Sequence, residues 1–277
     1  MKSNLLICLL IAITLVWLSS CSPAAETGAP GAAHTLSAPD RNSSVWAPAP
    51  GISFQIQFSG EIELSVDAEV FDLDAFETDA VMVEQLHQAG RKVICYVNAG
   101  ATEDWRPDAV LFPAEVIGKA YAGWPGENWL DIRQIETLAP ILQARMDLCA
   151  SKGFDGVEFD NVDGYLNKTG FPLTVEDQLT FNIWLADQAH QRGLAAGLKN
   201  DPEQIPDLEP FYDFAILENC FEQGWCEIAA LFIESAKAVF AIEYNSIDAF
   251  CEKAQELHIS LIGKPRELGA ARETCFE

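Results

Sequence analysis

The sequence predicts an α/β fold: one (β/α)8 TIM-type barrel of about 230 residues, preceded by a leader and a flexible tether. Three observations predict it. From residue 51 onward short apolar runs alternate with amphipathic stretches, the pattern of parallel βα units. The runs number eight, the strand count of a closed barrel. No glycine-rich dinucleotide fingerprint follows any of them, which disfavours an open doubly wound sheet.

The leader comes first. Lys2 gives a positive start, Leu5 to Trp17 are apolar, and Leu18-Ser19-Ser20-Cys21 closes the segment. That is a signal peptide, too short to be a comfortable membrane span. Its ending resembles a bacterial lipobox, so Cys21 is the expected lipidated first residue of the mature chain. Ser22, where an inner-membrane retention signal wants Asp, points to the outer membrane in a Gram-negative cell. Residues 22–50 are rich in Ala, Pro, Gly and Ser and read as a tether. The expected organisation is thus a signal peptide at 1–20, a lipidated cysteine and linker at 21–45, and one folded domain at 46–277.

The eight runs are 52–58, 69–74, 92–98, 156–160, 195–200, 214–219, 239–245 and 260–264. Helical periodicity fills 80–90, 138–153 and 177–193, and each of these stretches ends in a glycine that reads as a C-cap. With Lys2 removed the chain carries a net charge of −26, from 16 basic and 42 acidic residues. Such a chain is a poor ligand for nucleic acid and for anionic lipid beyond its own anchor. It suits a cationic ligand.

Eight cysteines become six once Cys8 leaves with the signal and Cys21 is lipidated. Outside the cytoplasm six cysteines favour disulfides. Cys220 and Cys226 bracket a short loop, and Cys251 with Cys275 would tie down the C-terminal tail. Cys95 and Cys149 either pair or stay buried as small apolar residues.

The strand ends carry the chemistry. Reading the last residues of the runs gives Asp72 and Asp74, Asn98, Asp160, Lys199 with Asn200, Glu218, Glu243 with Asn245, and Lys264. In this barrel those ends converge on one face, where active sites of the fold lie. None of the four histidines sits at a strand end, and no zinc spacing exists, so no metal or other cofactor is expected. Oxygen ligands at 160–163 lack EF-hand spacing. No nucleophilic-serine motif is present.

Paired carboxylates remain, and glycoside hydrolysis needs two. Asp160 and Glu218 end runs two strands apart and can face each other across the mouth. Glu158 shares the face of Asp160, one layer down, where Lys199 could pair with it. Asp163 joins the ring around the mouth, and Glu243 is the reserve second carboxylate. The long stretch after the third run holds Trp105, Tyr121, Trp124 and Trp129, flat faces suited to sugar rings.

The segments 46–60, 70–74, 93–100, 124–133, 155–165, 197–200, 218–226 and 242–245 carry a resemblance. Among them DGVEFDNVDGY, ENCFEQGWC and WPGENWLDIR are long and unusual. Together they resemble the endo-α-1,4-polygalactosaminidase family, glycoside hydrolase family 114, from about residue 46 to 275. The resemblance implies a (β/α)8 barrel that hydrolyses α-1,4-linked galactosamine polymers. It also implies a catalytic Asp on the fourth strand and a catalytic Glu on the sixth, which fall on Asp160 and Glu218. Asp72, Tyr96, Asn98, Trp124, Asn161, Asp163, Lys199, Asn200, Glu243 and Tyr244 complete the candidate substrate-binding set. The expected partner is a cationic amino-sugar polysaccharide met by a monomer. The competing class is a lipid-anchored protein that holds a glycan without cutting it, or a hydrolase of another amino-sugar polymer.

Overall fold

The computed structural model describes residues 45–275, so the expected signal peptide, the lipidated Cys21 and the tether before Val45 lie outside the described residues. Eight parallel strands lie in chain order: β1 (Phe54–Gln57), β2 (Val70–Asp74), β3 (Lys92–Asn98), β7 (Gly156–Asp160), β8 (Ala195–Lys199), β9 (Phe214–Glu218), β10 (Val239–Glu243) and β11 (Ser260–Gly263). Each falls within one of the apolar runs. They curl into the barrel, with helices on the outside.

Side-chain parity separates two cores. Odd-numbered positions of β2, β3 and β7, such as Phe71, Leu73, Cys95, Val97, Val157 and Phe159, pack outward against the helices. A smaller cluster, including Phe54, Val70, Ile94, Phe214, Phe240 and Ile262, fills the lower barrel. Phe54 and Phe240 meet there at 4.8 Å between ring centroids. Gly197 makes room for this packing, because a Cβ would lie 2.2 Å from the Phe214 ring.

The barrel closes by a device absent from the periodic pattern. Chain segment 265–275 lies along the gap between β11 and β1. Its short strand β12 (Glu273–Thr274) pairs antiparallel with β11. On the other side Leu268 O accepts from Phe58 N, Ala270 O accepts from the Gln55 amide, and the Arg272 guanidinium donates to Phe54 O. The Cys251–Cys275 disulfide pins the end of this strap.

Three long helices brace the first half: α1 (Ala80–Gln88), α2 (Ile135–Lys152) and α3 (Val175–Gln191). Asp79 caps α1, and a Thr174–Asp177 capping box opens α3. The chain leaves all three through a glycine in the left-handed region: Gly90, Gly153 and Gly193. Two histidines do structural work at the helix ends. His87 of α1 bonds Asp155 at 2.8 Å and His190 of α3 bonds Asp213 at 2.7 Å, each Asp standing just before a strand. Cys95 of β3 pairs with Cys149 of α2, and Cys220 pairs with Cys226.

The long stretch after β3 is folded. It forms a three-stranded antiparallel sheet of β4 (Ala101–Glu103), β6 (Glu127–Leu130) and β5 (Ile117–Ala120), in that order. This sheet builds one wall over the barrel mouth. Among the described residues no helix is long and apolar enough to cross a membrane.

Candidate active site

Three adjacent strands end in the same two-residue figure. Asp160-Asn161, Lys199-Asn200 and Glu218-Asn219 each place an inward charged side chain before an asparagine at positive φ, of 60°, 50° and 54°. Asparagine tolerates this left-handed conformation better than most residues. The chain therefore turns away sharply, leaving the charged group at the mouth. Gly100 allows a further close approach, since a Cβ there would lie 1.7 Å from Asn161 O.

At the floor of the mouth one ammonium faces three carboxylates. Lys199 Nζ lies 2.7 Å from Glu158 Oε1, 3.3 Å from Asp160 Oδ1 and 3.7 Å from Glu218 Oε1. Burial pushes the Lys199 ammonium down, but Asp160, Glu158 and Glu218 outweigh it and hold its pKa well above the ordinary lysine value. Asp160 also accepts from the Tyr96 hydroxyl at 2.8 Å and from Asn161 N–H at 2.9 Å. Glu218 accepts from the Tyr244 hydroxyl, and its own N–H donates to Asn200 Oδ1 at 2.9 Å. Both carboxylates remain partly open, with side chains 21% and 26% exposed. Because both sit on one ammonium, Asp160 Oδ1 and Glu218 Oε1 are no further apart than the sum of those two distances, 7.0 Å.

These groups floor a cleft of ≈ 590 Å³ that also contains Trp105, Tyr121, Trp124, Glu127 and Asp163. Trp105 and Trp124 stand half open on its rim, whereas Trp129 is buried against Tyr121 at 4.5 Å. Several acids here have a built-in cation. Arg106 pairs with both Asp74 and Glu103, and Lys199 serves the trio described above. Glu127 and Asp163 have no such ion pair. Burial, then Glu103 and Asp160, raise Glu127 to about 7. Burial, then Asp160, raises Asp163 to about 6.

Several expected substrate contacts take other places. Asp72 was expected at the mouth, but it is 2% exposed and lies one inward-facing layer below Asp74, beside Glu158. Glu243 was expected there too, as the reserve carboxylate. It has the outward parity of Val239 and Ala241, is fully buried, and accepts from Phe221 N–H at 2.8 Å beneath the loop after β9. Its neighbour Tyr244 takes the inward position. Asn98 is 1% exposed and is a hub under the wall, donating to Glu127 at 3.1 Å and accepting from Ala101 N–H and the Asn161 amide. Tyr96, Trp124, Asn161, Asp163, Lys199, Asn200 and Tyr244 do line the cleft.

Glu127, Tyr121, Arg106 and Trp105 are cleft residues that strand-end reading did not select, because they stand on the wall sheet or its connections. Arg266, from the closing strap, lies over the Tyr244 ring at 4.6 Å. The only signal for Glu127 was its place in WPGENWLD. Among the described residues the one cluster with metal-ligand proximity is Cys220, Cys226 and Glu243, and its thiols are spent in a disulfide.

A barrel with an open carboxylate pair in an aromatic-walled cleft has the groups that glycoside hydrolysis needs. Comparison with known proteins places it further. The model of glycoside-hydrolase family GH114 matches residues 35–277, and the chain belongs to that family. The crystal structure of Aspergillus fumigatus Ega3 in complex with galactosamine is similar at 36% identity and a TM-score of 0.81, covering 86% of this chain and 100% of that one. The glycoside hydrolase domain of PelA from Pseudomonas aeruginosa shares the fold, with a TM-score of 0.64 at 14% identity over 80% of this chain and 98% of that one. No curated protein sequence matches the chain.

Proposed function

We propose that this enzyme cleaves α-1,4-linked galactosamine polymer, with Asp160 as nucleophile and Glu218 as acid and base. The observation that carries the pair is their joint hold on Lys199 at the cleft floor. Asp160 is held and aimed by a hydroxyl, a backbone N–H and the ammonium around it. Glu218 is the more open of the two and lies further from the ammonium, and it takes the acid and base role.

In the first step an Asp160 oxygen attacks the anomeric carbon while Glu218 gives its proton to the departing glycosidic oxygen. In the second, Glu218 takes a proton from water, whose oxygen attacks the same carbon and releases Asp160. Retaining enzymes hold their carboxyl groups about 5–5.5 Å apart and inverting ones about 6.5–9.5 Å. The 7.0 Å ceiling removes most of the inverting range and favours retention.

The substrate reading rests on two cleft acids without a built-in cation, Glu127 and Asp163. Galactosamine units without acetyl groups carry ammonium groups, which Glu127 and Asp163 can receive. The galactosamine bound by Ega3 supports the same sugar. Incubation with de-N-acetylated α-1,4-galactosamine oligomers should give shorter products by mass spectrometry, with the α-anomer formed first by proton NMR. An intact oligomer would overturn the substrate, and a first-formed β-anomer would overturn the nucleophile.

The lipobox-like ending at Cys21 supports an envelope lipoprotein. Replacing Cys21 should release the protein from membranes; unchanged membrane fractionation and acylation would contradict this.

A further inference from the structure

Beneath the catalytic pair lies a second pair of acids that the chemistry above does not use. Asp72 is 2% exposed and Glu158 fully buried, and both point into the barrel. If both were ionised, Asp72 Oδ1 and Glu158 Oε2 would each be buried with no hydrogen-bond partner. The groups facing Asp72 offer no other relief. Its ladder neighbours on β1 and β3 are Ile56 and Ile94, both apolar. The charged groups that act on it are Glu158 and Asp160 from β7 and Lys199 from β8. Lys199 has three N–H donors, and three other carboxylates already surround it. No hydrogen bond from Lys199 or from any other donor reaches Asp72 Oδ1.

We infer that Asp72 is a neutral carboxylic acid that donates its proton to Glu158, and that this shared proton seats Lys199 between Asp160 and Glu218. One proton satisfies both orphaned oxygens. Its location follows from the distances: Glu158, 2.7 Å from the ammonium, keeps its charge, and Asp72, without a cation of its own, keeps the proton. Burial, followed by the Glu158 charge, pushes Asp72 well above the ordinary aspartate range, in the same direction. Asp72 is therefore a positioning residue. With Asp72 ionised, a second negative charge would lie below Lys199 and draw it off the catalytic pair. Only this last consequence rests on the proposed roles of Asp160 and Glu218.

The decisive feature is that a neutral acid and an amide can both donate, so asparagine should replace this aspartate. The side-chain carboxyl carbon of Asp72 can be followed by carbon-13 NMR of aspartate-labelled full-length protein and assigned by its loss in Asp72→Asn. It should keep a protonated shift through neutral pH. Kinetics form the second arm. Asp72→Asn should hold kcat within about threefold, whereas Asp72→Leu, of similar shape but without a donor, should lower kcat about 10- to 100-fold with KM little changed. An ionised shift at neutral pH would overturn the inference, as would an Asp72→Asn enzyme as impaired as Asp72→Leu. The NMR arm reads the proton whether or not galactosamine polymer is the substrate, so it separates this inference from the proposed activity.

Discussion

Asp160 of β7 and Glu218 of β9 reach the cleft, whereas Asp72 of β2 and Glu243 of β10 do not. All four sequences look alike: an apolar run closed by an acid. Two simple variables separate them. Asp160 and Glu218 have inward parity and occupy the last residue of the strand, so they meet both the cleft and Lys199. Glu243 is also a last residue, but its outward parity sends it to cap Phe221 and Glu222 backbone N–H groups. Asp72 has inward parity but lies two residues short of the end, which turns it into a buried partner of Glu158. Function at a barrel mouth thus needs both the right face and the right depth.

The sharpest way to break the comparison is to remove what unites the working pair. Lys199→Met would leave Glu158 buried without its cation, and should cost about 3–5 kcal/mol of stability by denaturant titration. It should also abolish turnover, since Asp160 and Glu218 lose their common anchor. Retained stability would mean that Glu158 is neutral and that the network has been misassigned.

A second test uses two acids that face the cleft without a cation. Glu127 and Asp163 have raised pKa values, about 7 and about 6, so the folded state binds more protons than the unfolded one at mildly acid pH. Their contribution to stability is therefore fully present below the unfolded values and falls as pH rises through the folded ones. The slope for each is at most about 1.4 kcal/mol per pH unit. Glu127→Gln should flatten the decline between roughly pH 4.5 and 7, as read by thermal unfolding across pH. The same titration predicts that galactosamine binds more weakly as pH falls below 7, because the acid that receives its ammonium becomes neutral. A pH-independent affinity would remove Glu127 from the subsite.

The smallest effect concerns the turns that aim the pair. Asn219→Ala should cost about 1–2 kcal/mol because its left-handed φ of 54° strains a Cβ without the asparagine amide. Asn219→Gly, which relieves that strain, should cost less, and a reversal of this order would refute the role of the turn.

Much of this was legible in the sequence. Run lengths and alternating helices gave the eight strands, and the last residues of the fourth, fifth and sixth runs supplied Asp160, Lys199 and Glu218. Parity inside a run could also have been read: Ile242 and Glu243 alternate, so an apolar inward Ile242 already sends Glu243 outward. The wall sheet was harder, because β4, β5 and β6 have three to four residues each and their pairing depends on a fold-back over the mouth. Glu127 was hidden for that reason. The closing strap was hidden too, since its hold on β1 runs through backbone carbonyls and the side chains of Gln55 and Arg272, with no hydrophobic period to betray it.

The most direct measurement is the turnover of three amide variants on the same galactosamine oligomers, each first shown to be folded by circular dichroism. Asp160→Asn and Glu218→Gln should each lose about 10³-fold or more in kcat. Glu243→Gln, whose carboxylate faces away from the cleft, should stay within a few-fold of wild type. Folded Asp160→Asn or Glu218→Gln protein within tenfold of wild type, or a Glu243→Gln loss as deep as theirs, would contradict the assignment of the pair.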